Sequence, residues 1–287
     1  MKKLRVRKHK VVLNRSQGGD IFITLLLVLM GTVIFLPMYY TIINAFKPAA
    51  EVNITPPLFY VMKPTLQNFI DLFTNINVTW VPVSRYIFNT VFISVASTFG
   101  CLVFGSITAY ALSKVRMPGY KLIFAMIKYS LMISSVVAGL AAFIIYVALG
   151  WLNTYTISIV PTWAGTMGLY LMKQYIDGNV SDEMIEAARI DGASEVSIYW
   201  RIVMPLVKPA WLTLIVTTFQ GVWSSGSSSY VWSEQLKTFN TALNDIQAVS
   251  SGAGSAGAVL LMSVPIVMFL VNESQIVETM ASSGMKD

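Results

Sequence analysis

The chain has 287 residues, of which 55% are hydrophobic and only 12% are charged, and its mean hydropathy is +0.64. A soluble globular domain carries about 25% charged residues, so this composition argues against a soluble fold and predicts one all-α integral membrane unit. Much of the net charge of +6 comes from basic residues ahead of the first apolar run. Such a cluster is typical of the cytoplasmic flank of a first span; a nucleic-acid-binding arm is disfavoured because no soluble domain follows it.

Six apolar segments approach the roughly 20 residues with which a helix crosses the hydrocarbon layer. They are residues 21–45, 86–112, 122–149, 156–175, 204–223 and 256–272. The first is longer than the apolar part of a cleaved secretory signal, and no Ala-x-Ala site follows it, so we expect it to remain in the mature protein. The sequence thus predicts a basic tail at 1–20, a six-helix transmembrane domain at 21–272 and a second tail at 273–287.

The distribution of Lys and Arg predicts the orientation of these spans. Basic residues gather in segments 1–20, 113–121, 176–203 and 273–287, and they are sparse in the intervening segments 46–85, 150–155 and 224–255. Because cytoplasmic loops carry the excess of Lys and Arg, both termini are expected in the cytoplasm.

Two outward segments have features of their own. Five prolines surround the amphipathic stretch Leu66–Phe73 in segment 46–85, which predicts an ordered cap or a short surface helix. Segment 224–257 is rich in Ser and Gly and predicts irregular backbone that lines water or is buried in protein. Its run Gly252–Gly257 has Gly-x-Gly-x-x-Gly spacing but follows no strand. A dinucleotide site is therefore disfavoured, and we expect a flexible loop that touches another protein or enters a solute path.

The longest inward segment, 176–203, has the signals of two short helices. Ser181 is a good N-cap, Gly192 breaks the first helix, Ser194 caps a second, and Pro205 stands where that helix joins the fifth span. The alternative is an amphipathic helix that rests on lipid, but such helices favour Lys and Arg on the polar face. This segment is instead rich in acidic residues, which are unfavourable beside anionic lipid: Asp182, Glu183, Glu186, Asp191 and Glu195.

Small residues in the same segment predict that another protein's backbone approaches closely. They are Ala187, Ala188, Gly192 and Ala193. The spacing Glu186-Ala187-Ala188, three residues, Gly192, nine residues, Ile202-Val203-Met204-Pro205 resembles the signature loop of binding-protein-dependent ABC importer permeases, with Met204 where Leu is usual.

Further segments resemble the carbohydrate-uptake branch of that family, in particular the shorter six-span subunit of the maltose-type permease pair. They are Phe46-Lys47, Asn68-Phe69, Asn89-Thr90, Ala109–Lys114 with Arg116 and Pro118-Gly119, and Asn153-Thr154-Tyr155. The resemblance covers nearly the whole chain from about residue 20. It implies a type I ABC importer permease fold in a bacterial inner membrane.

The resemblance also implies partners and residue roles. Loop 176–203 would be the coupling loop that docks into a groove of an ATPase subunit. In it Glu186 would contact an Arg of the ATPase, Ala187 and Ala188 would fit the groove, and Gly192 would allow the turn. Asp191 and Pro205 complete the expected coupling set. The expected partners are a homologous permease, two ATP-binding subunits and an extracytoplasmic solute-binding protein. The C-terminal run Gly284–Asp287 is similar to a tail that reaches the ATPase interface in some relatives.

Motifs for catalysis are missing from the sequence. There is no Gly-x-x-x-x-Gly-Lys-Ser/Thr phosphate loop, so ATP and Mg are expected on the partner subunits, and no cofactor is expected on this chain. His9 has no His or Cys at ligand spacing, so no metal site is proposed. The single Cys101 is expected to be a helix-packing residue. We therefore predict a transporter subunit without catalytic residues; an intramembrane enzyme is a distant alternative.

The sequence defines the transported solute less well than it defines the loop that would bind the ATPase. Gln220, Trp223, Ser224 and Tyr230 are the expected solute-path residues, since polar groups within a span usually face the bundle interior. The chain departs from its relatives near this path, at Ser134-Ser135 and at Ser224-Ser225. We expect an oligosaccharide, and another polar solute is the nearest alternative. A gradient-driven secondary transporter is disfavoured because no span interior carries Asp or Glu.

Overall fold

The computed structural model describes residues 17–74, 80–115 and 117–284, and every regular element in these ranges is helical. The helices are α1 (Gln17–Ala45), α2 (Ala49–Val52), α3 (Gln67–Thr74), α4 (Val83–Lys114), α5 (Tyr120–Ser130), α6 (Ser135–Ala148), α7 (Tyr155–Trp163), α8 (Thr166–Asn179), α9 (Asp182–Ile190), α10 (Glu195–Ile198), α11 (Met204–Leu206), α12 (Lys208–Ser224), α13 (Phe239–Val249) and α14 (Ser251–Gly284). A π-helical segment (Tyr199–Val203) joins α10 to α11, and a 3₁₀ turn (Glu234–Leu236) precedes α13.

Three of the predicted spans are single continuous helices in the described residues. Gly18–Ala45, Val83–Lys114 and Ser251–Asn272 are long and apolar enough to cross a membrane, with mean hydropathies of 2.6, 1.9 and 2.2 over their most apolar windows. The first, second and sixth predicted spans are thus confirmed as helices of membrane-spanning length. The apolar window of α1 is not buried at all within the chain, so this helix offers its side chains to lipid or to another subunit.

The other three predicted spans also fall on helices, but each is interrupted or shortened. The third divides into α5 and α6, and Ser134 stands at the N-cap of α6, a position that serine favours. The fourth divides into α7 and α8 at Gly165, four residues after Pro161, which lacks a backbone N–H. The fifth begins at Lys208 rather than at residue 204, after a bend of 81° from the α10–α11 segment. The sequence therefore predicted these three spans as continuous helices, whereas in the structure two are interrupted and one is shorter.

Helix α4 is the centre of the bundle and packs against α7, α8, α12 and α13. Small residues allow the close approach, as is usual between membrane helices. A Cβ atom at Gly100 would lie 2.0 Å from Nε1 of Trp163. That indole nitrogen donates to the carbonyl of Ala96, at 3.1 Å. Glycine at position 100 is thus required for α7 to reach α4.

The run Gly252–Gly257 is not a flexible loop, and that expectation is wrong. It forms the first turns of α14 and is buried throughout. A Cβ atom at Gly252 would lie 2.4 Å from Oδ1 of Asn68, and one at Gly257 would lie 2.6 Å from Cδ1 of Leu243. These glycines therefore let α3 and α13 pack directly on the α14 backbone, and their role is close packing.

The predicted cap is confirmed for residues 46–74, where α2 and α3 fold over the end of α1. Lys47 is 1% exposed, and its Nζ donates to Oδ1 of Asn44 and to the carbonyl of Leu58. Nδ2 of Asn68 donates to the carbonyls of Ala45 and Lys47, at 3.0 and 2.7 Å. These paired buried polar groups hold residues 46–74 in one conformation.

Two buried apolar clusters lie at opposite ends of α4. At the end near Lys114, which we call the loop end, α4 packs on α8 and on residues of loop 176–203, including Ile185, Ile198 and Tyr199. At the other end, which we call the cap end, Tyr86 packs with residues of α3, α13 and α14. Helix α4 therefore joins the cap to the loop.

Candidate functional site

Loop 176–203 begins with a capped helix, as the sequence predicts. Oγ of Ser181 accepts a hydrogen bond from the backbone N–H of Met184, at 3.3 Å. Asp182 and Glu183 lie in the first turn of α9 and Arg189 in the last, which complements the helix dipole. Local sequence therefore accounts for both the start and the polarity of this helix.

Gly192 ends α9 in the left-handed conformation, with φ of +79°. Its N–H bonds to the carbonyl of Arg189 and the N–H of Ala193 bonds to that of Ala188, both at 3.0 Å. This pair of bonds is a Schellman motif, which favours glycine because a side chain in this conformation is strained. The predicted tight glycine turn is confirmed.

The second helix of the loop is capped by Ser194, whose Oγ accepts from the N–H of Ser197 at 3.3 Å. From α10 the chain continues through the π-helical segment into α11, which contains Pro205, and then bends at Val207. Pro205 is exposed and lies at the junction between the loop and α12, where the sequence placed it.

The two faces of α9 have different environments. Ile185 and Ala188 are buried against the chain's own core. Glu186, Ala187, Asp191 and Gly192 are exposed. Of the two alanines expected to meet a partner, Ala187 is available on the surface, whereas Ala188 is buried in the apolar cluster that also contains residues of α4 and α8.

Exposed apolar side chains extend this open face beyond the residues chosen from the sequence. Ile190 is 86% exposed and Val196 is 68% exposed, one on each side of the glycine turn. Ile190 is the last residue of α9 and Val196 lies in the first turn of α10. We call the set Glu186, Ala187, Ile190, Asp191, Gly192 and Val196 the open face.

Polar contacts fasten the buried side of the loop to α4. Nζ of Lys114 lies 2.6 Å from Oδ1 of Asp182 and also donates to the carbonyl of Val180, at 2.6 Å. The hydroxyl of Tyr110 donates to Oε2 of Glu195, at 2.6 Å. A cavity of about 70 Å³ remains beside these contacts, lined by Lys114, Val115, Asp182, Ile185, Glu186 and Arg189.

Arg189 and Glu195 form an ion pair across the glycine turn, with 2.7 Å between Nε and Oε1. Hydrogen bonds from Arg189, and then from Tyr110, hold the pKa of the Glu195 carboxyl below its usual range, and the same pairing raises the pKa of Arg189. Since the pKa of Glu195 is lower in the folded chain, its stabilising effect is complete above the pKa of the unfolded chain. It is lost as the pH falls through the folded value.

Three of the four predicted solute-path residues lie on α12, and the fourth, Tyr230, lies in the segment that follows it. Gln220 and Trp223 lie in the last turns of α12, where Trp223 is 7% exposed and its Nε1 donates to the carbonyl of Leu261 in α14, at 2.8 Å. Ser224 is exposed at the end of α12. Tyr230 instead stacks on Phe143 of α6, with 5.4 Å between ring centroids. Trp223 therefore serves helix packing in this conformation.

Metal and catalytic chemistry were not predicted, and over the described ranges no group of three or more His, Cys, Asp or Glu is arranged to hold a metal ion. Cys101 is buried, with its Sγ 3.7 Å from Oγ1 of Thr218 in α12.

Comparison with known proteins gives consistent results. The model of the family described as "binding-protein-dependent transport system inner membrane component" matches residues 101–274, more than half of the chain. The galactooligosaccharides transport system permease protein GanQ of Bacillus subtilis is 30% identical over 275 residues, which are 93% of this chain and 95% of the relative. The sn-glycerol-3-phosphate transport system permease protein UgpE of Yersinia enterocolitica is 26% identical over 95% of this chain and 99% of its own.

A shorter match joins the chain to the arabinooligosaccharides transport system permease protein AraQ of Halalkalibacterium halodurans, 29% identical over 66% of this chain and 67% of that protein. Among solved structures, a bacterial ABC transporter involved in the import of the acidic polysaccharide alginate superposes with a TM-score of 0.74 at 21% identity, covering 91% of this chain and 98% of that chain. That likeness shows the fold. The family match and the GanQ alignment go further: the chain belongs to the binding-protein-dependent transport system inner membrane components, the permease subunits of ABC importers.

Proposed function

We propose that an ATPase subunit docks on the open face of loop 176–203 and drives import through this permease. The observation that carries the proposal is that one face of α9 is buried and the other is exposed. Ile185 and Ala188 fix one side to the chain's own core, while Glu186, Ala187 and Ile190 stay exposed on the other. An acidic and apolar surface on a rigidly held helix suits a protein partner with a basic residue beside an apolar groove.

Each residue of the coupling set has a role in this proposal. Glu186 pairs with an Arg of the ATPase, and Ala187 enters its groove. Gly192 and Asp191 form the turn that aims α9 at the partner. Pro205 marks the start of the path from loop to α12. Ala188 acts from the buried side by holding α9 in place.

ATP hydrolysis is assigned to partner subunits, because the sequence has no phosphate-binding loop. ATP and Mg would be bound there, and this chain would hold no cofactor. Two ATP-binding subunits, a homologous permease and an extracytoplasmic solute-binding protein complete the proposed assembly. In it both termini face the cytoplasm, with tails at 1–20 and 273–287 and the transmembrane domain at 21–272, in a bacterial inner membrane.

The proposed cargo is a carbohydrate, and specifically an oligosaccharide. Two relatives are named for galactooligosaccharides and arabinooligosaccharides, which supports this class. The relative named for sn-glycerol-3-phosphate favours a second candidate, a smaller polar solute. Gln220, Trp223, Ser224 and Tyr230 remain the proposed path residues, and exposure of Trp223 would require α12 and α14 to separate.

The docking proposal is tested by reversing one charge on the open face. Glu186→Arg places a cation opposite the proposed Arg of the ATPase, so recovery of the ATPase with the purified complex and solute uptake should both fall at least about tenfold. Asp245→Arg is the matched control for ATPase recovery, because Asp245 is also exposed but lies on α13, at the end of α4 away from the loop. Unchanged ATPase recovery and uptake in Glu186→Arg would refute the docking proposal.

Gly192→Val is a second variant on the same face, since a β-branched residue at φ of +79° is strained and would re-aim α9. ATP-independent uptake in vesicles that lack the ATPase would instead favour a gradient-driven transporter. Mass identification of the solute that co-purifies with the binding protein distinguishes an oligosaccharide from a smaller polar solute.

A further inference from the structure

One face of α4 carries three polar residues at helical spacing that the proposed docking does not use. Ser106, Tyr110 and Lys114 are each four residues apart, so they form a stripe along the last turns of the helix. All three are buried, with exposed fractions of 0%, 5% and 8%. Most buried polar groups in folded proteins are paired, so the partners of this stripe indicate what it holds.

The partners come from three different pieces of loop 176–203. The hydroxyls of Ser106 and Tyr199 lie 2.6 Å apart, and Tyr199 belongs to the π-helical segment. Tyr110 donates to Glu195 of α10, and Lys114 pairs with Asp182 of α9, each at 2.6 Å. We call these three contacts the ladder. They join residues 93, 85 and 68 positions apart in the chain.

Arg189 braces the ladder from the side. It binds Oε1 of Glu195 through Nε, and its Nη2 donates to the carbonyl of Lys114, at 3.2 Å. The last turn of α9, the first turn of α10 and the end of α4 are thus tied together around the glycine turn. Bonds to ionised groups are stronger than neutral ones, and several that share partners resist displacement better than an isolated pair.

Along the chain, the loop has weaker connections to its neighbouring helices. Val180 and Ser181 are extended between α8 and α9, and at the other side the chain bends by 81° before α12. The ladder bypasses both joints. It connects the loop directly to α4, which runs without interruption from Val83 to Lys114.

We infer that the ladder is the connection through which movement of loop 176–203 reaches the membrane bundle, with Tyr110, Lys114, Asp182 and Glu195 as its positioning residues. The inference rests on the proposed function and adds the receiving helix, α4. It predicts that ATPase binding and transmission of movement can be separated. In a ladder variant the ATPase remains bound, but its conformational change no longer reaches the membrane bundle.

The test measures the number of ATP molecules hydrolysed per solute molecule imported, in proteoliposomes that contain the whole complex and its binding protein. Tyr110→Phe removes one hydroxyl from the ladder and leaves the ring in the core. We expect this ratio to rise at least about fivefold, the lower range of typical coupling between sites, with unchanged ATPase recovery. Tyr175→Phe is the control, because Tyr175 packs on the same core cluster and is outside the ladder.

A second pair of variants tests the partner. Glu195→Ala removes the acceptor of the Tyr110 hydroxyl, whereas Glu195→Gln keeps a neutral acceptor, so Gln should restore part of the ratio that Ala loses. If wild-type complex binds the ATPase and Tyr110→Phe and Glu195→Ala both import at the wild-type ratio, the inference is wrong and docking stands. Loss of ATPase from the Tyr110→Phe complex would also overturn it, since the hydroxyl would then serve assembly. Failure of the wild-type chain to bind any ATPase would refute the proposed function itself.

Discussion

The contacts that fasten the two ends of α4 differ in their exposure to water, although ionised groups take part at both: at the cap end the hydroxyl of Tyr86 donates to Oε2 of Glu234, at 3.0 Å. At the cap end Asn89 is fully buried, and its Nδ2 donates to the carbonyls of Gln235 and Lys237, both at 2.8 Å. Its Oδ1 accepts from the hydroxyl of Tyr155, at 2.7 Å. At the loop end the contacts include ionised groups whose partners face water: the side chains of Asp182 and Glu195 are 51% and 45% exposed.

This difference indicates which end is permanent and which can rearrange. A buried neutral bond has no water to replace it, so breaking it leaves unpaired groups at a cost of about 1–3 kcal/mol each. An exposed ion pair such as Arg189–Glu195 opens to water at about 0–1 kcal/mol. The cap end is therefore expected to hold its geometry through the transport cycle, while at the loop end this exposed pair can open and the ladder, whose α4 groups are buried, stays connected.

The largest effect is expected from breaking the cap end. Asn89→Ala removes the bond to the Lys237 carbonyl and one bond each from the Gln235 carbonyl and the Tyr155 hydroxyl, which both also bind Arg85, so we expect the free energy of unfolding to fall by roughly 3 kcal/mol. Thermal unfolding of the purified complex in detergent measures this loss. Asn179→Ala is the control, because Asn179 is exposed and bonds only to the Tyr175 carbonyl within its own helix. Equal midpoints for the two variants would contradict the permanence of the cap end.

A smaller loss is expected at the middle of α4, between the two ends. Gly100→Ala places a Cβ where Nε1 of Trp163 now lies and breaks the bond of that indole to Ala96. Overpacking of this kind costs about 1–3 kcal/mol. Gly31→Ala, on the exposed helix α1, has open space around its Cβ and should cause no loss. Unfolding midpoints again give the comparison, and a fully tolerated Gly100→Ala would show that α7 separates easily from α4.

The smallest effect is a response to salt that the exposed loop should show and the buried start of α13 should not. Raising NaCl from about 0.1 M to 1 M shortens the Debye length from about 10 Å to 3 Å and weakens exposed ion pairs. Amide hydrogen exchange should then speed up about two- to fivefold in residues 182–198, in line with the energies of such pairs. Exchange in residues 239–243, at the buried start of α13, serves as the internal reference. An equal change in both segments would show that exposed ion pairs do not set the stability of the loop.

Local signals in the sequence predicted the loop well. Ser181, Gly192 and Ser194 each act within four residues of their own position, through a cap or a turn, so their roles follow from spacing alone. The membrane composition likewise predicted an all-helical fold. The helix breaks in the third and fourth segments were not predicted, because apolar length does not reveal where a helix in a bundle is interrupted.

Residues whose roles depend on distant partners could not be assigned from the sequence. The glycines in 252–257 predict a flexible segment when only their neighbours in sequence are considered. In the structure Asn68 and Leu243 pack directly against them. Tyr110 appeared only as part of a family pattern, and its partner Glu195 is 85 positions away. The four solute-path residues depend on helix–helix geometry in the same way, as the stacking of Tyr230 on Phe143 of α6 illustrates.

Because α4 is one continuous helix, movement can pass along it from the loop to the cap and from the cap to the loop. Asn89 and Tyr110 stand 21 residues apart on one helix, a rod of about 30 Å at 1.5 Å per residue. A tilt of such a rod by about 5° shifts one end by nearly 3 Å relative to the other. A rigid rod has no preferred direction, and linkage between two binding sites is reciprocal. In the proposed assembly, a solute-binding protein that binds at the cap would therefore alter the affinity of the loop for the ATPase, so that the arrival of solute would change ATPase binding before ATP is hydrolysed.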